Sequence, residues 1–195
     1  MTKLRLIVLT FFTILTLTSL TFAQLEIKPA IGINFTGFSQ DPENATTSAQ
    51  VGWQLGATVS AGDKFYGEGG IFWVHKSNKI TENTTDVDFD TKLAGIRIPL
   101  MVGYHLLGKE KDVLGLRAFG GGSAFFLNSV TAEGLSLDDF NSAHYGVFLG
   151  LGADLSLFFI DVKYEWSLTD VTSIKTIDLG QARSLFVNAG IRISI

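Results

Sequence analysis

The alternation that decides the fold lies in residues 158–166, Phe158-Phe159-Ile160-Asp161-Val162-Lys163-Tyr164-Glu165-Trp166. Every second side chain from Phe158 to Trp166 is apolar, whereas Asp161, Lys163 and Glu165 fall on the opposite side of an extended chain. Three successive charges on one strand face need either water or charged partners. The stretch therefore predicts a β-strand with one apolar face and one charged face.

Other segments alternate in the same way. Residues 27–35, 51–59 and 185–195 place branched or aromatic side chains at nearly every second position. Less regular strands are expected at about 64–75, 92–106, 113–126 and 144–156, where glycines such as Gly120, Gly121 and Gly122 blur the pattern. Together these segments predict an all-β chain of about eight strands.

The predicted connections alternate between long and short. Long connections are expected at about 36–50, 76–91, 127–143 and 168–183, and short ones at Gly62-Asp63, at 107–112 and near Ser156-Leu157. Bacterial outer-membrane barrels have short periplasmic turns and longer external loops. A sheet that crosses a membrane must also close, because lipid offers no partners to the backbone of an open edge. The chain is therefore predicted to form a closed antiparallel up-and-down transmembrane β-barrel.

The first residues are typical of a secretory signal. Lys3 and Arg5 precede an apolar stretch at 6–20, and Thr21-Phe22-Ala23 places small residues where a signal peptidase reads them. We expect cleavage after Ala23, so that residues 1–23 form the signal peptide and residues 24–195 the barrel domain. The alternative is a retained membrane helix, for which the apolar stretch is short and rich in threonine.

The composition argues against several partners and cofactors. The net charge is −4, and removal of Lys3 and Arg5 would leave the remainder more acidic, whereas nucleic-acid phosphates are bound by clustered Lys and Arg. The absence of cysteine excludes disulfides, a cysteine zinc site and a lipoprotein anchor. Gly150-Leu151-Gly152 lacks the later glycine of a dinucleotide site, and no phosphate-loop motif occurs. We expect no cofactor and no nucleic-acid partner.

The main alternative fold is a secreted soluble barrel that binds a ligand, with its apolar face inward. The polar faces of the predicted strands are instead rich in small residues, namely Gly32, Gly52, Gly56, Gly150, Gly152 and Gly190. Glycine fits the crowded inside of a narrow barrel better than a solvated outer wall, where longer charged side chains are expected. The membrane barrel is therefore the favoured interpretation.

The inward faces of the predicted strands assemble a network of charges. We expect these side chains to point into the barrel: Lys28, Glu68, Arg97, Arg117, Asp154, Asp161, Lys163, Glu165 and Arg192. The interior of an eight-stranded barrel is only wide enough for side chains to fill it. The charges should therefore pair into a plug of salt bridges, and the alternative, an ion path, requires them to leave the lumen open.

An acidic run offers a weak candidate for a metal site. Asp86, Asp88 and Asp90 lie at alternate positions and could present oxygen ligands to Ca²⁺. The glycine and the terminal glutamate of an EF-hand loop are missing, since Thr91 and Arg97 stand in those places. A solvated acidic strand end is the simpler interpretation, so we predict no metal site.

One histidine offers a weak catalytic constellation. His144 follows Ser142 and lies near Asp138 and Asp139 at the third long connection, and general-base chemistry recruits a histidine beside such partners. A loop rich in Ser, Asp and His arises readily by chance. We therefore predict no catalytic residues and no enzymatic activity.

Four motifs of the predicted wall resemble those of a known family. They are Gly52-Trp53-Gln54-Leu55-Gly56, Ile96-Arg97-Ile98-Pro99-Leu100 before Gly103-Tyr104, Gly146 through Gly150-Leu151-Gly152, and Asp161-Val162-Lys163-Tyr164 leading to Ser167-Leu168-Thr169-Asp170. On these motifs, residues 25–195 resemble the outer-membrane β-barrel "porin family" proteins of Bacteroidetes, which include PorT-type secretion-associated barrels, and OmpX-like small barrels. The resemblance implies a barrel in the outer membrane and brings no catalytic residues. Such barrels often end in an aromatic residue read by the assembly machinery, whereas this chain ends Ile193-Ser194-Ile195.

The expected function is that of a non-enzymatic outer-membrane barrel with long, acidic external loops. It would act in envelope structure, in adhesion or in a secretion or assembly complex, with outer-membrane lipid, the assembly machinery and an unidentified partner of the loops as its contacts. The alternatives are a passive small-solute porin, which predicts conductance, and an enzyme, which predicts that His144→Ala abolishes an activity.

Overall fold

The computed structural model describes residues 25–38, 45–82, 88–108, 113–131, 143–170 and 181–195. They form these strands: β1 Leu25–Phe38, β2 Ala45–Ala49, β3 Val51–Gly62, β4 Phe65–Glu82, β5 Asp88–Leu107, β6 Leu114–Thr131, β7 Ala143–Leu155, β8 Phe158–Asp170, β9 Gln181–Ile191 and β10 Ile193–Ser194. The predicted signal segment, residues 1–23, lies outside the described residues. In the part of the chain that is described, no helix is long and apolar enough to cross a membrane.

The sheet closes on itself. Each strand from β3 to β9 pairs with the next in antiparallel fashion, and β9 returns to β1, where Gly190 lies opposite Ala30 and Ala182 opposite Phe38. β10 continues β9 against β1, and β2 continues β3 along the far part of β4, with the register shifted by one residue at Gln50. The predicted closed, eight-stranded antiparallel barrel is therefore confirmed.

The apolar side chains of the strands form the outer wall. In β8, Ile160 and Val162 are exposed, whereas Asp161, Lys163 and Glu165 are buried inside the ring. The same arrangement runs round the wall, where the most exposed apolar side chains include Ile31, Leu55, Leu100, Val102, Leu149 and Leu151. A soluble ligand-binding barrel needs the opposite arrangement. The wall therefore suits a lipid surrounding and not water.

Two of the prolines lie inside strands and interrupt the ladder. Pro29 of β1 lies opposite Ile191, the last residue of β9. β10 begins at Ile193 and pairs with β1 in the same register as β9 does. Pro99 of β5 lies where the pairing of β4 with β5 skips from Gly69 to Phe72. Proline has no N–H to donate, so each break removes a ladder bond without opening the ring.

The short connections all lie at one end of the barrel, the short-turn end. β3 and β4 are joined through Asp63 and Lys64, and β7 and β8 through Ser156 and Leu157. Ser156 has a positive φ of 53°, which tight hairpin turns require. The predicted turns at Gly62-Asp63 and Ser156-Leu157 are thus found within one residue of the expected places.

The opposite end, the long-connection end, differs from the prediction. The expected loops at 36–50, 76–91, 127–143 and 168–183 are partly strand, because β4 runs on to Glu82, β5 begins at Asp88 and β6 ends at Thr131. β2 adds to this part by pairing Ala45–Ala49 with residues 78–82. We call residues 45–49, 78–82, 88–94 and 127–131 the extended sheet. The apolar alternation fades there, so strand and loop look alike in the sequence.

Candidate functional site

Charged side chains from across the sheet fill the interior of the barrel. All the side chains predicted to face inward are buried: Lys28, Glu68, Arg97, Arg117, Asp154, Asp161, Lys163, Glu165 and Arg192. Glu26 and Lys76 are buried with them, which makes six cations and five carboxylates among the described residues. Packed rings, including Phe72, Phe148 and Phe186, lie between the charges.

Arg117 is the centre of the ionic cluster nearest the short-turn end. Its Nε lies 2.8 Å from Asp154 Oδ2 and its Nη2 2.8 Å from Asp161 Oδ1. The third nitrogen, Nη1, donates to the Tyr66 hydroxyl at 3.2 Å and lies 4.0 Å from Glu68 Oε2. The planar guanidinium can address several acceptors in fixed directions. One side chain of β6 thereby contacts β4, β7 and β8.

Two further pairs extend this cluster to β1 and to the end of the chain. The Lys28 ammonium donates to Glu68, whose carboxylate also faces Arg117. Arg192 Nε lies 2.7 Å from Glu26 Oε1, and its Nη1 lies 3.6 Å from Asp154 Oδ2. The pairs therefore form one continuous network round this end of the lumen.

A second ionic cluster lies nearer the long-connection end. Arg97 of β5 donates through Nε to Glu165 Oε2 of β8 at 3.1 Å, and its Nη2 contacts the same oxygen. Ser123 of β6 donates to that oxygen at 2.8 Å. The Arg97 guanidinium also faces the rings of Phe148 and Phe186, with its Cζ 5.2 and 4.7 Å from their centroids. A single carboxylate therefore connects three strands.

Lys163 lies between the two clusters and is surrounded by rings. Its Nζ lies 5.9, 5.8 and 5.7 Å from the ring centroids of Phe72, Phe119 and Phe148. A cation over an aromatic face is attracted by the ring quadrupole. Among the described residues, no carboxylate oxygen lies within 4 Å of this ammonium group. Lys163 is thus held mainly by packing, unlike Arg97 and Arg117.

Inward-facing glycines make room for the rings. Gly150 lies opposite Phe119, and a Cβ there would come within 2.6 Å of the ring. Gly56 faces Phe72 and Gly190 faces Phe159 in the same way, at 2.7 and 2.8 Å. Each ring thus lies over a bare stretch of neighbouring backbone. The predicted role of the polar-face glycines, to relieve crowding inside a narrow barrel, agrees with these contacts.

A small cavity lies at the long-connection end of the lumen. It is lined by Lys76, His144, Glu165, Ser167 and Ser184 among others, and its volume is about 20 Å³. That volume holds about one water molecule. Lys76 is covered by the rings of Phe125 and Phe186, with its Nζ 4.9 and 5.9 Å from their centroids. The cavity is too small for an organic substrate.

The weaker candidate sites are only partly within the described residues. Asp88 and Asp90 lie in β5, opposite Thr81 and Lys79, whereas Asp86 lies outside the described part. No cluster of three potential metal ligands occurs among the described side chains. His144 lies in β7 with its ring 6.0 Å from that of Phe125, and its proposed partners Ser142, Asp138 and Asp139 lie outside the described residues.

The sequence interpretation missed several inward polar side chains, among them Glu26, Lys76 and His105. Glu26 lies two residues before Lys28, and Lys76 two residues after Val74, so the period of two would have included both had the strands been drawn longer. His105, expected at a strand end, is buried with its ring 5.1 Å from that of Tyr66. The alternation could have indicated this position, because His105 follows Gly103 and Met101 at intervals of two residues and both also face inward.

Comparisons with known proteins agree with this architecture. The model of the family "outer membrane protein beta-barrel domain" matches residues 22–173. The crystal structure of the outer membrane protein OprG from Pseudomonas aeruginosa is similar, with 11% identity, a TM-score of 0.56 and coverage of 88% of this chain and 96% of OprG. Neisserial surface protein A, with 12% identity and a TM-score of 0.48, covers 88% of this chain and 97% of its own. No curated protein sequence matches the chain. At these identities the structural likeness concerns the fold alone.

Proposed function

Because this chain belongs to the outer membrane protein β-barrel domain family, we propose that it is a sealed, non-enzymatic barrel that recognises a macromolecular partner outside the cell. The observation that carries the proposal is the extended sheet. The proposal includes export, with residues 1–23 as a signal peptide cleaved after Ala23, and assembly by the outer-membrane machinery. In this family of architectures the longer connections face outward, so the extended sheet would face the exterior.

The filled lumen argues against passive transport. Two ionic clusters, centred on Arg117 and on Arg97, cross the interior, and the rings around Lys163 lie between them. An eight-stranded barrel has room only for such side chains. Opening a path would separate buried ion pairs, and each broken pair costs about 3–5 kcal/mol. A porin function therefore has little physical support here.

The extended sheet supports a role in recognition. A transmembrane strand needs about 9–11 residues, whereas β4 has 18, β5 has 20 and β6 has 18. On the other side of the barrel β7 and β8 have 13 residues each. At about 3.3 Å per residue the surplus in β4 and β5 amounts to roughly 25 Å. The extension is therefore one-sided and reaches well beyond the membrane.

The outer part of β6 has a described neighbouring strand on one side only. β6 pairs with β7 as far as Phe126, opposite Ala143, and from Leu127 to Thr131 its described partner is β5 alone. An unpaired strand edge offers backbone donors and acceptors to another chain. The exposed side chains of Asn128 and Ser129 lie on this edge.

Site-specific photo-crosslinking in living cells tests the proposal. A photoreactive residue in place of Ser129 should give a discrete adduct with a protein or polysaccharide, whereas one in place of the wall residue Leu149 should give only lipid adducts. A shortened variant serves as the matched control: Asn-Gly replaces residues 78–91 between Ser77 and Lys92, which lie opposite each other, and forms a tight hairpin turn. It keeps the barrel and the pairing of Ser129 with Ala94, and it should lose most of the Ser129 adduct because the proposed partner also contacts the β4–β5 hairpin.

Two results would overturn the proposal. One is an adduct pattern at Ser129 that does not change when the hairpin is shortened, although the shortened barrel still shows a mobility shift between unboiled and boiled samples. The other is stepwise conductance of the purified wild-type protein in a planar bilayer, which would instead support the passive-porin alternative.

A further inference from the structure

The outer wall contains one apolar groove that the proposed recognition function does not use. It crosses β9, β1 and β3, has a volume of about 550 Å³ and is lined by Ile31, Ile33, Trp53, Leu55, Val187 and Ala189, with Gly32, Gln54 and Asn188 at its base. The small side chain of Ala189 lies opposite Ile31 and lowers the floor between higher ridges. The groove is open to the surroundings along the wall.

The groove points towards an exposed arginine. Arg183 lies on the outer face of β9, four residues from Val187 towards the long-connection end, which is about 13 Å along a strand. It makes no ion pair with any residue that the structure describes. Leu185 and Phe35, opposite each other, cover the wall between the arginine and the groove.

The neighbours of Arg183 decide how accessible its guanidinium is. Lys92 is a second exposed basic side chain at the long-connection end, on the opposite part of the ring, and Asp88, Asp90 and Asp170 lie in strands at the same end. Arg183 is flanked by Trp166, its partner in β8, and by Gly37, its partner in β1. A Cβ at Gly37 would meet nothing within 4 Å, so space is open beside the guanidinium.

We propose that the groove and Arg183 together bind one phosphorylated lipid of the external leaflet, with an acyl chain in the groove and the phosphate at Arg183. The groove is continuous with the lipid-facing wall, so an acyl chain is the occupant that its surroundings supply. An arginine binds phosphate through two parallel hydrogen bonds, and tryptophan favours the interface level where a lipid headgroup lies.

Trp53 provides a direct readout because its ring lines the groove. The chain has three tryptophans, so Trp73→Phe with Trp166→Tyr leaves Trp53 as the single tryptophan and keeps an interfacial aromatic ring beside Arg183. This protein is refolded into phosphatidylcholine vesicles that contain increasing fractions of phosphatidic acid with brominated acyl chains. Phosphatidylcholine with the same brominated chains is the control lipid. Bromine quenches the indole only when the chain lies in or beside the groove.

Saturable, headgroup-selective quenching is the expected result. Brominated phosphatidic acid should reach half-maximal quenching at about a tenfold lower mole fraction than brominated phosphatidylcholine. Arg183→Gln should remove this preference, whereas the matched variant Lys92→Gln should keep it. Unbrominated lipid A should restore the fluorescence, because it presents phosphate and acyl chains from the external leaflet. Ala189→Phe, which fills the groove without entering the lumen, should reduce the quenching at every lipid fraction.

The opposite results would overturn the assignment. Quenching that follows the mole fraction equally for both lipids indicates ordinary surrounding lipid. If quenching of the Arg183→Gln protein shows the same lipid preference as the wild type, Arg183 does not bind the phosphate. If lipid A fails to compete, the site does not take a lipid of the external leaflet. The variant with the shortened β4–β5 hairpin should bind lipid as the wild type does, so this test and that of the recognition function fail independently.

Discussion

Arg117 Nη2 lies 2.8 Å from Asp161 Oδ1, so a side chain of β6 is joined directly to one of β8 although β7 separates these strands in the sheet. The same guanidinium holds Asp154 of β7 at 2.8 Å. Contacts of this kind cross the lumen in addition to following the wall. The closed ring is thus cross-braced from inside by ionic contacts, in addition to the apolar side chains that pack in the lumen.

The first prediction concerns the loss of this brace. Arg117→Met should lower the free energy of unfolding by about 3–5 kcal/mol, because it leaves Asp161 buried without its ion pair and Asp154 with only the longer contact to Arg192. Denaturant titration of the refolded protein in lipid vesicles, followed by tryptophan fluorescence, measures the change. Lys92→Met, on the exposed face of β5, is the control and should change stability by less than about 0.5 kcal/mol. Equal effects of the two substitutions would contradict the bracing role.

The second prediction separates the two ways in which a cation is held in the lumen. Lys163→Met should be neutral or slightly stabilising, because the ammonium group contacts three rings and a methionine can pack against the same rings. Arg97→Met should instead cost about 3–5 kcal/mol, since Glu165 loses its partner. The same titration compares the two single variants. A larger loss for Lys163→Met than for Arg97→Met would show that the lysine has an ionic role.

The third prediction concerns the glycines that face rings. Gly103→Ala should destabilise the barrel by about 1–3 kcal/mol, because the new Cβ would overlap the ring of Tyr66, its partner across the β4–β5 ladder. Gly67 is the matched control: a Cβ there would meet nothing within 4 Å, so Gly67→Ala should be nearly neutral. In a Tyr66→Ala background the cost of Gly103→Ala should fall below about 1 kcal/mol. A cost that persists without the ring would point to backbone strain.

The fold and the inward charges could be predicted because both follow from the alternation of side chains between the two faces of each strand. Lipid outside and a narrow lumen inside give each face a composition of its own, so Asp161, Lys163 and Glu165 identify the inner face of β8 and, with it, the outer one. The alternation of long and short connections between strands then indicates a closed barrel. This reasoning needs no contact between distant residues.

The pairing inside the lumen could not be predicted, because it depends on register and stagger round the ring. Nothing in the local sequence indicates that Arg97 reaches Glu165, 68 positions away, while Lys163, two residues from Glu165, lies among rings. The extended sheet was also missed. Beyond the lipid both faces of a strand are solvated, so the alternation that identifies a strand in the wall disappears there.

The last prediction tests which surface faces lipid, using two side chains of similar exposure at different depths. Leu149, in the middle of β7, and Val113, just before β6, are 63% and 68% exposed. In vesicles, Leu149→Arg should cost about 2–4 kcal/mol, because it places a charge near the bilayer midplane, whereas Val113→Arg at the short-turn end should cost about 0–1 kcal/mol. Unfolding titrations of both variants in the same vesicles give the difference directly. Equal and small costs would mean that Leu149 is surrounded by water, which is incompatible with a transmembrane wall.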